Sequence, residues 1–359
     1  MGGDGQEHFY APVLFFEQKA VIYIAMNNAL KTLFLPVHKG SILLEGKKIL
    51  FLNAVHDPLL ENGDWDCRQV FKPYAIDLEK NGISTSSDLT FEKNNYDLAL
   101  ILIPKNVTEA RFLVASALFA LKQNGQIICA ADNKAGGTRL KKLFENFGLH
   151  DPANLSKHKC RVVWADINGF DEDQCTKALQ AGQPQSILNG QFISQPGIYG
   201  WDKEDLGSRL LCKALPDDIK GYGTDFGCGY GYLAHHVLEK SPKIKHIECH
   251  DADYRAVKCC EANIKDKASF HWTDLSKPFK PKKLLDFVIM NPPFHEGKKT
   301  DISLGQAFIK NAAASLRRKG SLWMVANAHL PYEEILNKEF FHVEKIAERQ
   351  GFKIYRADK

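Results

Sequence analysis

Four consecutive residues, Asn291, Pro292, Pro293 and Phe294, have types and an order suited to binding a planar amino group. They follow a short apolar run at 284–290 that the proline pair closes, which predicts a buried strand opening into a rigid loop. Open α/β sheets bind ligands beyond such strand ends. The prolines lack N–H groups, so the loop offers carbonyl oxygens, and the Asn291 amide oxygen adds an acceptor. Two acceptors can hold both hydrogens of an exocyclic NH2 while Phe294 lies against the ring that carries it.

A glycine-rich motif upstream supplies the context that the tetrapeptide needs, because an ordinary Pro-Pro turn is the alternative to a binding loop. Glycines let the backbone approach a ligand, and the helix predicted at 234–240 offers free N–H groups. The spacing is Gly-x-Gly-x-Gly with an acid two residues earlier, which suits S-adenosylmethionine better than a dinucleotide. Cys228 is interpreted as a packing residue of this loop and not as a nucleophile. We expect the loop to bind the cofactor through Asp225, Gly227, Cys228, Gly229 and Gly231.

Two acidic residues follow the next two predicted strands. Asp251 ends the strand predicted at 245–250 and lies where an acid can hold ribose hydroxyls, with Asp253 as a competing candidate. Asp274 follows the strand predicted at 270–272 and is expected near the adenine amine. Each acid alone is more often a helix cap than a ligand. Their order after the glycine-rich turn favours the binding interpretation.

With the motifs in this order, the chain resembles a class I S-adenosylmethionine-dependent methyltransferase. More narrowly, it resembles the ribosomal RNA small subunit methyltransferase C family, which makes N2-methylguanine in 16S rRNA. The resemblance covers most of residues 196–359. It rests on the segments at 196–199, 205–208, 225–229, 291–297 and 325–332. A sister family acting on large-subunit rRNA shares Asn-Pro-Pro-Phe-His, but 330–332 and 353–357 are nearer to the small-subunit group.

The resemblance implies an enzyme of rRNA processing that transfers a methyl group to the N2 of a guanine. Asn291 and the Pro292 carbonyl are expected to hold the amine hydrogens out of the ring plane, so that its lone pair becomes nucleophilic. A strong base is not required, although His295 is a candidate. Lys298 and Lys299 are candidates for contact with the RNA phosphates. A solvated charged surface is an equally good interpretation of this pair.

Several other functions remain compatible with the residues. Asn-Pro-Pro followed by an aromatic also serves adenine-N6 methylation of DNA and glutamine methylation of release factors, and large-subunit rRNA is a further substrate. A chain of a different class, a non-catalytic RNA-binding or assembly factor, can keep the same inherited fold. The intact set of Gly227, Gly229, Gly231, Asp251 and Asn291 argues against that last possibility.

The first half of the chain repeats the pattern of the second half without its chemistry. The run at 95–103 is again an Asp-led apolar strand that leads to a helix, a glycine and another strand, with helices predicted at 115–122 and 307–318. The strand predicted at 48–52 lacks a glycine cluster after it, and the segment 104–106 stands where Asn-Pro-Pro-Phe is expected. We therefore expect no cofactor in the first copy.

The sequence thus predicts an α/β fold with two tandem Rossmann-like class I methyltransferase domains, the first degenerate. Residues 1–185 are assigned to a scaffold domain with possible RNA contacts, and 186–359 to the catalytic domain. The boundary is placed at the segment 181–186, which has linker composition.

The composition of the chain excludes some classes of protein and site but does not indicate a particular function. The net charge is only +4, so a local basic patch matters more than the total for RNA binding. Nine cysteines without paired C-x-x-C spacing argue against disulfides and against a zinc site, so no metal is expected. Neither a signal peptide nor a membrane span is indicated. We expect a cytoplasmic monomer that acts on 16S rRNA or the assembled 30S subunit.

Overall fold

The computed structural model describes residues 28–293 and 302–359 of the 359-residue chain. Its strands form two seven-stranded sheets and one short hairpin, and no helix among these residues is long and apolar enough to cross a membrane. Besides short 3-10 turns and a helical stretch at 28–33, the helices are Leu35–His38 (α1), Lys72–Lys80 (α2), Val107–Ala120 (α3), Leu140–Glu145 (α4), Glu172–Gly182 (α5), Leu206–Ala214 (α6), Tyr232–Lys240 (α7), Tyr254–Asn263 (α8), Ile302–Ser315 (α9) and Glu333–Glu339 (α10).

The first sheet has the strand order β3-β2-β1-β4-β5-β7-β6. Neighbouring strands from β3 to β5 are parallel, and β7 runs antiparallel to both β5 and β6. Its strands are Lys48–Leu52 (β1), Asp64–Arg68 (β2), Thr85–Ser86 (β3), Tyr96–Leu102 (β4), Leu121–Asp132 (β5), Ala153–Lys157 (β6) and Cys160–Asp166 (β7).

The second sheet has the equivalent order, β12-β11-β10-β13-β14-β16-β15, with β16 antiparallel to its two neighbours. The hairpin of Gln185–Ile187 (β8) and Phe192–Ser194 (β9) lies between the sheets in the chain. The strands are Gly221–Phe226 (β10), Ile244–Asp251 (β11), Ala268–Trp272 (β12), Leu285–Met290 (β13), Leu316–Asn327 (β14), His342–Arg349 (β15) and Phe352–Asp358 (β16). The predicted duplication of a Rossmann-like domain is confirmed.

The central strands of both sheets are buried on both faces, which explains why their sequences are continuous apolar runs instead of alternating ones. Residues 49–52 of β1 and 287–290 of β13 are almost inaccessible to solvent. Separate hydrophobic clusters cover the two faces of each sheet. The boundary near residue 185 stays a prediction.

The ends predicted for the helices at 115–122 and 307–318 were wrong, whereas the helix predicted at 234–240 does end at Lys240. Helix α3 begins at Val107, where the Asn106 side chain accepts a hydrogen bond from the Glu109 N–H, and it ends at Ala120. The segments at 121–122 and 316–318, predicted to be helical, belong to β5 and β14. Pairing explains the difference, because Leu121 pairs with Tyr96, as Leu316 does with Leu285 of the second sheet. Tertiary pairing overrides local helical preference at these positions.

Candidate active site

The two predicted motifs meet because their strands are neighbours. β10 carries the glycine-rich turn, β13 carries the Asn-Pro-Pro loop, and Phe226 pairs in register with Met290. Parallel strands end at the same edge of a sheet, so both motifs emerge together. β10 also pairs with β11 on its other side, which is the arrangement of a topological switch point where α/β sheets bind ligands.

Asn291 is held in one orientation by two acceptors. Its Nδ2 donates to Asp205 Oδ1 at 2.7 Å and to Ser208 Oγ at 3.0 Å. A carboxylate only accepts hydrogen bonds, so the amide nitrogen must face Asp205 and the amide oxygen must face away. That oxygen is buried and has no hydrogen-bond partner within the described residues. The Asn291 amide oxygen is therefore a fixed acceptor, and its predicted role toward a planar amine stays a prediction.

Asp205 and Ser208 contact Asn291 directly, and the sequence reasoning did not assign them to the site. Asp205 is the N-cap of α6, and its Oδ1 also accepts the Ser208 N–H at 2.8 Å. The segment 205–208 was visible only as part of a family resemblance. An Asp followed three residues later by Ser signals a helix start, and nothing local to it indicates the contact with Asn291 eighty-six positions away.

Asp225 is completely buried at the end of β10. Its Oδ2 accepts the Ala234 N–H near the start of α7 at 3.1 Å, whereas its Oδ1 has no partner in the described part of the chain. Burial raises the pKa of the Asp225 carboxyl to about 8, and the nearby Asp251 adds to the shift. A buried acid with a free oxygen is suited to binding a cationic group of a ligand.

Asp251 and Asp253 have different roles, which bears on the choice that the sequence left open. Asp251 accepts N–H groups of Gly229 at 2.9 Å and of Asp253 at 2.8 Å, so it connects the β11 end to the glycine-rich turn. Burial raises the pKa of Asp251 to about 6. Asp253 caps α8 and forms an ion pair with Arg255 at 2.7 Å. Asp251 is the better candidate for ribose hydroxyls, and this assignment remains a proposal.

The third acid, Asp274, lies beyond the end of β12 and lines a cavity that Asp251 and Asn291 also line. Its Oδ1 accepts both the N–H of Ser276 at 2.9 Å and the Ser276 hydroxyl at 2.5 Å. The carboxylate is therefore held in place by its own turn, an Asx-type arrangement. Its expected role near an adenine amine remains a proposal.

The glycine-rich turn has the conformation that only glycine adopts easily. Gly229 has φ +53°, and a Cβ there would meet no atom within 4 Å, so its backbone borders open space. Gly231 has φ +93°, and a Cβ there would lie 2.9 Å from the Cys260 sulfur. Cys228 is buried in the core beside the turn, which agrees with its interpretation as a packing residue. The backbone of the turn can thus approach a ligand closely.

Most of these residues line one cavity of about 960 Å³, whereas the predicted cofactor residues Asp225 and Gly231 are not among the residues that line it. Its volume falls in the range of cofactor pockets. Predicted residues that line it include Gly227, Cys228, Gly229, Asp251, Asp274, Asn291, Pro292 and Pro293. The orphaned Asp225 oxygen, the acids at the strand ends and the open glycine backbone fit S-adenosylmethionine. Residues 71–80 of the first domain also contribute to the wall, a contribution that no sequence pattern predicted.

Some predicted site residues lie outside the described residues. They are Phe294, His295, Lys298 and Lys299. Their proposed roles in stacking, proton transfer and phosphate binding stay predictions.

A cluster of Glu248, His250 and His271 lies on one face of β11 and β12, with ligand-type atoms within 4.8 Å of one another. His250 Nδ1 is 3.0 Å from the Thr273 hydroxyl, and His271 Nε2 is 3.0 Å from the Ser269 hydroxyl. The cluster is thus a hydrogen-bonded network in its own right. All nine cysteines are free, as expected, and the expectation that no metal binds stays a prediction.

Two family models match the chain. The methyltransferase small domain matches residues 189–356, and its N-terminal companion, the methyltransferase small domain N-terminal, matches residues 37–169. The two matches correspond to the two sheets and leave between them the segment that contains α5 and β8.

Relatives with one shared name resemble both halves of the chain. Ribosomal RNA small subunit methyltransferase C of Psychromonas ingrahamii is 29% identical over 89% of this chain and 94% of its own length. The Aliivibrio fischeri ES114 protein of the same name is 30% identical over 76% of this chain and 80% of its own. The corresponding Salmonella newport protein is 31% identical over 72% and 75%.

A solved structure shares the two-domain fold. The T. thermophilus 16S rRNA N2 methyltransferase, solved in complex with AdoMet and guanosine, has a TM-score of 0.75 and covers 90% of this chain and 92% of its own. At 22% identity it supports the fold alone. From the sequence relatives, the chain belongs to the ribosomal RNA small subunit methyltransferase C family.

Proposed function

We propose that this chain transfers a methyl group from S-adenosylmethionine to the exocyclic N2 of a guanine in 16S rRNA. The orientation of Asn291 carries the proposal. Because Asp205 and Ser208 fix its amide nitrogen, the amide oxygen is a preorganised acceptor at the edge of the cavity. Such an acceptor is suited to an amine hydrogen and not to a carbonyl or a phosphate.

The residues act mainly by positioning. S-adenosylmethionine supplies an electrophilic methyl group on a sulfonium. Asn291 Oδ1 and the Pro292 carbonyl accept the two hydrogens of the guanine amine, which turns its lone pair away from the ring and toward the methyl group. The same acceptors stabilise the positive charge that develops on the nitrogen. The proton is then lost from an acidic aminium to water or to these acceptors, so no strong base is needed.

The buried acids bind the cofactor in this proposal. Asp225, buried behind the cavity wall with one oxygen that has no partner among the described residues, would balance the charge of the cationic amino acid part; Asp251 would hold the ribose hydroxyls and Asp274 the adenine amine. The glycine-rich turn supplies backbone contact between these acids. The cofactor would be held at the ends of β10, β11 and β12, and it would supply the methyl group to an amine held by Asn291, which follows β13.

The substrate follows from the family. Curated relatives are named for small-subunit rRNA, so we assign 16S rRNA, naked or within the 30S subunit, as the partner. The first domain, residues 1–185, is the scaffold and residues 186–359 are catalytic. We further expect the protein to act as a monomer in the cytoplasm, with Lys298 and Lys299 touching the phosphates beside the target guanine.

A transfer assay tests the proposal directly. Radiolabelled S-adenosylmethionine is incubated with purified protein and with 30S subunits, 50S subunits, duplex DNA or a release factor, the ribosomal subunits coming from cells that lack this enzyme. We expect label in 16S rRNA only, recovered as N2-methylguanine after nucleoside digestion and mass spectrometry. Label in another substrate, or as another methylated nucleoside, refutes the assignment. No transfer to any of them, with intact cofactor binding, favours an assembly factor.

A further inference from the structure

The first domain docks onto the loop that directly follows Asp251. The backbone at 70–72 pairs with the backbone at 252–254 in an antiparallel bridge whose two N–H···O bonds are 2.8 Å each. The Trp272 Nε1–H, at the end of β12, donates to the carbonyls of Val70 at 3.1 Å and of residue 252 at 2.8 Å. The candidate ribose acid is therefore followed at once by a segment that the other domain holds in place.

A buried ion-pair network reinforces this contact. Arg255 of α8 forms ion pairs with Asp253 at 2.7 Å and with Glu109 of the first domain at 2.6 Å. The Arg255 and Glu109 side chains are only 10% and 8% exposed. Gly197 packs against the pair so closely that a Cβ would lie 2.5 Å from a Glu109 oxygen. Separating the domains here would be costly, because removing one partner of a buried ion pair leaves the other charge uncompensated.

The docked domain places helix α2 in the wall of the cavity. Two aromatic residues of this wall, Phe71 and Tyr74, have ring centroids 5.7 Å apart. This wall lies near Asp251 and Asp274, which follow β11 and β12. In the sheet these two strands lie on one side of β10, whereas β13, which leads to Asn291, lies on the other. First-domain residues lining the cavity are Phe71, Pro73, Tyr74, Ile76, Asp77 and Lys80.

We propose that Phe71 and Tyr74 of the first domain bind the adenosyl part of S-adenosylmethionine. The cavity needs a planar apolar surface for a purine beside its ribose and amine acceptors, and aromatic rings provide one. The degenerate domain thereby completes the cofactor pocket of the other domain. Cofactor binding becomes a property of the docked pair and not of the catalytic domain alone. This inference rests on the proposed function, since it takes S-adenosylmethionine as the ligand.

The test compares full-length variants by isothermal titration with S-adenosylmethionine. Tyr74→Ala is expected to raise the Kd about 5- to 150-fold, the range expected for loss of one base-stacking ring. Tyr74→Phe keeps the ring and should bind as the wild type does. Phe91→Ala is the matched control, because Phe91 is also a half-buried aromatic of the first domain but does not line the cavity. Melting without ligand checks that each variant folds.

The outcomes separate this inference from the proposed function. If the wild-type protein does not bind S-adenosylmethionine, the proposed function fails. If the wild type binds but Tyr74→Ala and Phe71→Ala bind equally well, only the first-domain contact fails. A raised KM for rRNA with an unchanged Kd for the cofactor also overturns it, since Tyr74 would then face the substrate. Should Tyr74→Ala not fold, Tyr74→Leu keeps apolar volume without the ring and must show the same loss of affinity.

A second ligand locates the contact within the cofactor. 5′-Methylthioadenosine has the adenosyl part without the amino acid part, so its inhibition constant should rise by the same factor in Tyr74→Ala as the Kd for S-adenosylmethionine. An unchanged inhibition constant would place the contact at the amino acid end and contradict the proposal.

Discussion

The strand ends of the two domains have the same backbone arrangement. They differ in how many hydrogen-bonding groups their side chains leave available to a ligand. Leu52 pairs with Arg68 in the first sheet as Phe226 pairs with His250 in the second. This correspondence puts Gln69 of the first domain where Asp251 stands in the second.

The two side chains make comparable bonds with opposite consequences. Gln69 Oε1 accepts the Phe71 N–H two residues on at 2.8 Å, just as Asp251 Oδ1 accepts the N–H two residues after it at the same distance. The other end of Gln69 donates to the Ala54 carbonyl at 2.7 Å, whereas the other oxygen of Asp251 accepts from Gly229 at 2.9 Å. Gln69 is only 2% exposed, and both ends of its amide are bonded within its own domain. The carboxylate keeps lone pairs for a ligand.

The remaining positions differ in the same sense. By register Leu102, and not Pro104, takes the position of Asn291, and it is buried. Asn53 takes the left-handed position of Gly227, with φ +54° against +77°, and its side chain donates to the Leu102 carbonyl at 3.0 Å. The first site was therefore closed by groups that satisfy one another. Degeneration here removed spare hydrogen-bonding capacity without changing the fold.

The docking contact follows from this equivalence. Val70 and Ala252 are corresponding residues, and so are Lys72 and Tyr254, so the bridge between the domains joins like with like. Such a contact is the intrachain counterpart of an isologous dimer interface. Each copy presents the start of its α2 or α8 helix to the other, and only the second copy has an acid, Asp251, where the first has Gln69.

The largest effect is expected when Asn291 is replaced by the type of residue that stands at the corresponding position of the first domain. Asn291→Leu, which copies Leu102, and Asn291→Ala should each lower kcat by about a thousandfold, because a preorganised acceptor of this kind contributes about 10²–10³ or more. The Kd for S-adenosylmethionine should stay within about twofold. Single-turnover methylation of 16S rRNA and calorimetry measure the two quantities.

Asn53→Gly is the control in the other domain. It removes an amide side chain from the corresponding end of the first sheet while glycine keeps the positive φ, so methylation should be unchanged. Normal turnover in Asn291→Ala would exclude Asn291 from the chemistry, and a large loss in Asn53→Gly would show that the first site is not inert.

The next largest effect is expected on cofactor affinity when Asp251 is replaced. Asp251→Gln copies Gln69 and should weaken S-adenosylmethionine binding about 10- to 100-fold, the loss expected for one or two hydrogen bonds to a charged group. The kcat at saturating cofactor should change much less. Titration calorimetry and the KM for the cofactor report the effect.

The reverse exchange, Gln69→Glu, tests whether a single acid can reopen the first site. It should add no second binding event, because Leu102 and Asn53 still close that end of the sheet. It should lower the melting temperature, since a carboxylate would face the Ala54 carbonyl without a donor. A stoichiometry of two cofactors would contradict this account of how the copy was lost.

The affinity for S-adenosylmethionine should depend on pH through the Asp225 carboxyl. With its pKa raised to about 8 by burial, the carboxyl of the free protein holds a proton at neutral pH, and a cationic ligand group favours its release. The affinity for S-adenosylmethionine should therefore rise with pH, by up to about 25-fold from pH 6.5 to pH 8.5. Calorimetry in buffers of different ionisation enthalpy should detect proton release on binding, and Asp225→Asn should abolish both effects.

The same group acts on stability with the opposite sign. In the unfolded chain its pKa is near 3.8, so between about pH 4 and pH 8 only the unfolded state releases the proton, and stability falls as pH rises. Asp225→Asn should thus raise the melting temperature of the ligand-free protein at pH 8. A lower melting temperature would mean that the carboxylate is stabilised by the fold.

Sequence reasoning reached the parts of this molecule that are local in the chain. Short apolar runs and glycine spacing predicted the strands at 48–52 and 285–290, the glycine-rich turn and the duplication. Contacts between distant segments were out of reach. The bond from Asn291 to Asp205 and the docking of Phe71 beside Asp253 depend on how helices and domains pack, which single-chain patterns do not record.

The smallest predicted effect tests such a distant contact. Ser208 is one of two acceptors that orient the Asn291 amide, and the shorter bond goes to Asp205. Ser208→Ala should therefore lower kcat only about three- to fivefold, because one neutral hydrogen bond is worth about 1 kcal/mol and Asp205 still holds the amide nitrogen. Ser241→Ala, another buried serine at the end of α7, is the matched control and should not change kcat. A loss as large as that of Asn291→Ala would mean that orientation of the amide depends on both acceptors together, and the fixed acceptor would then be a property of the whole α6 start.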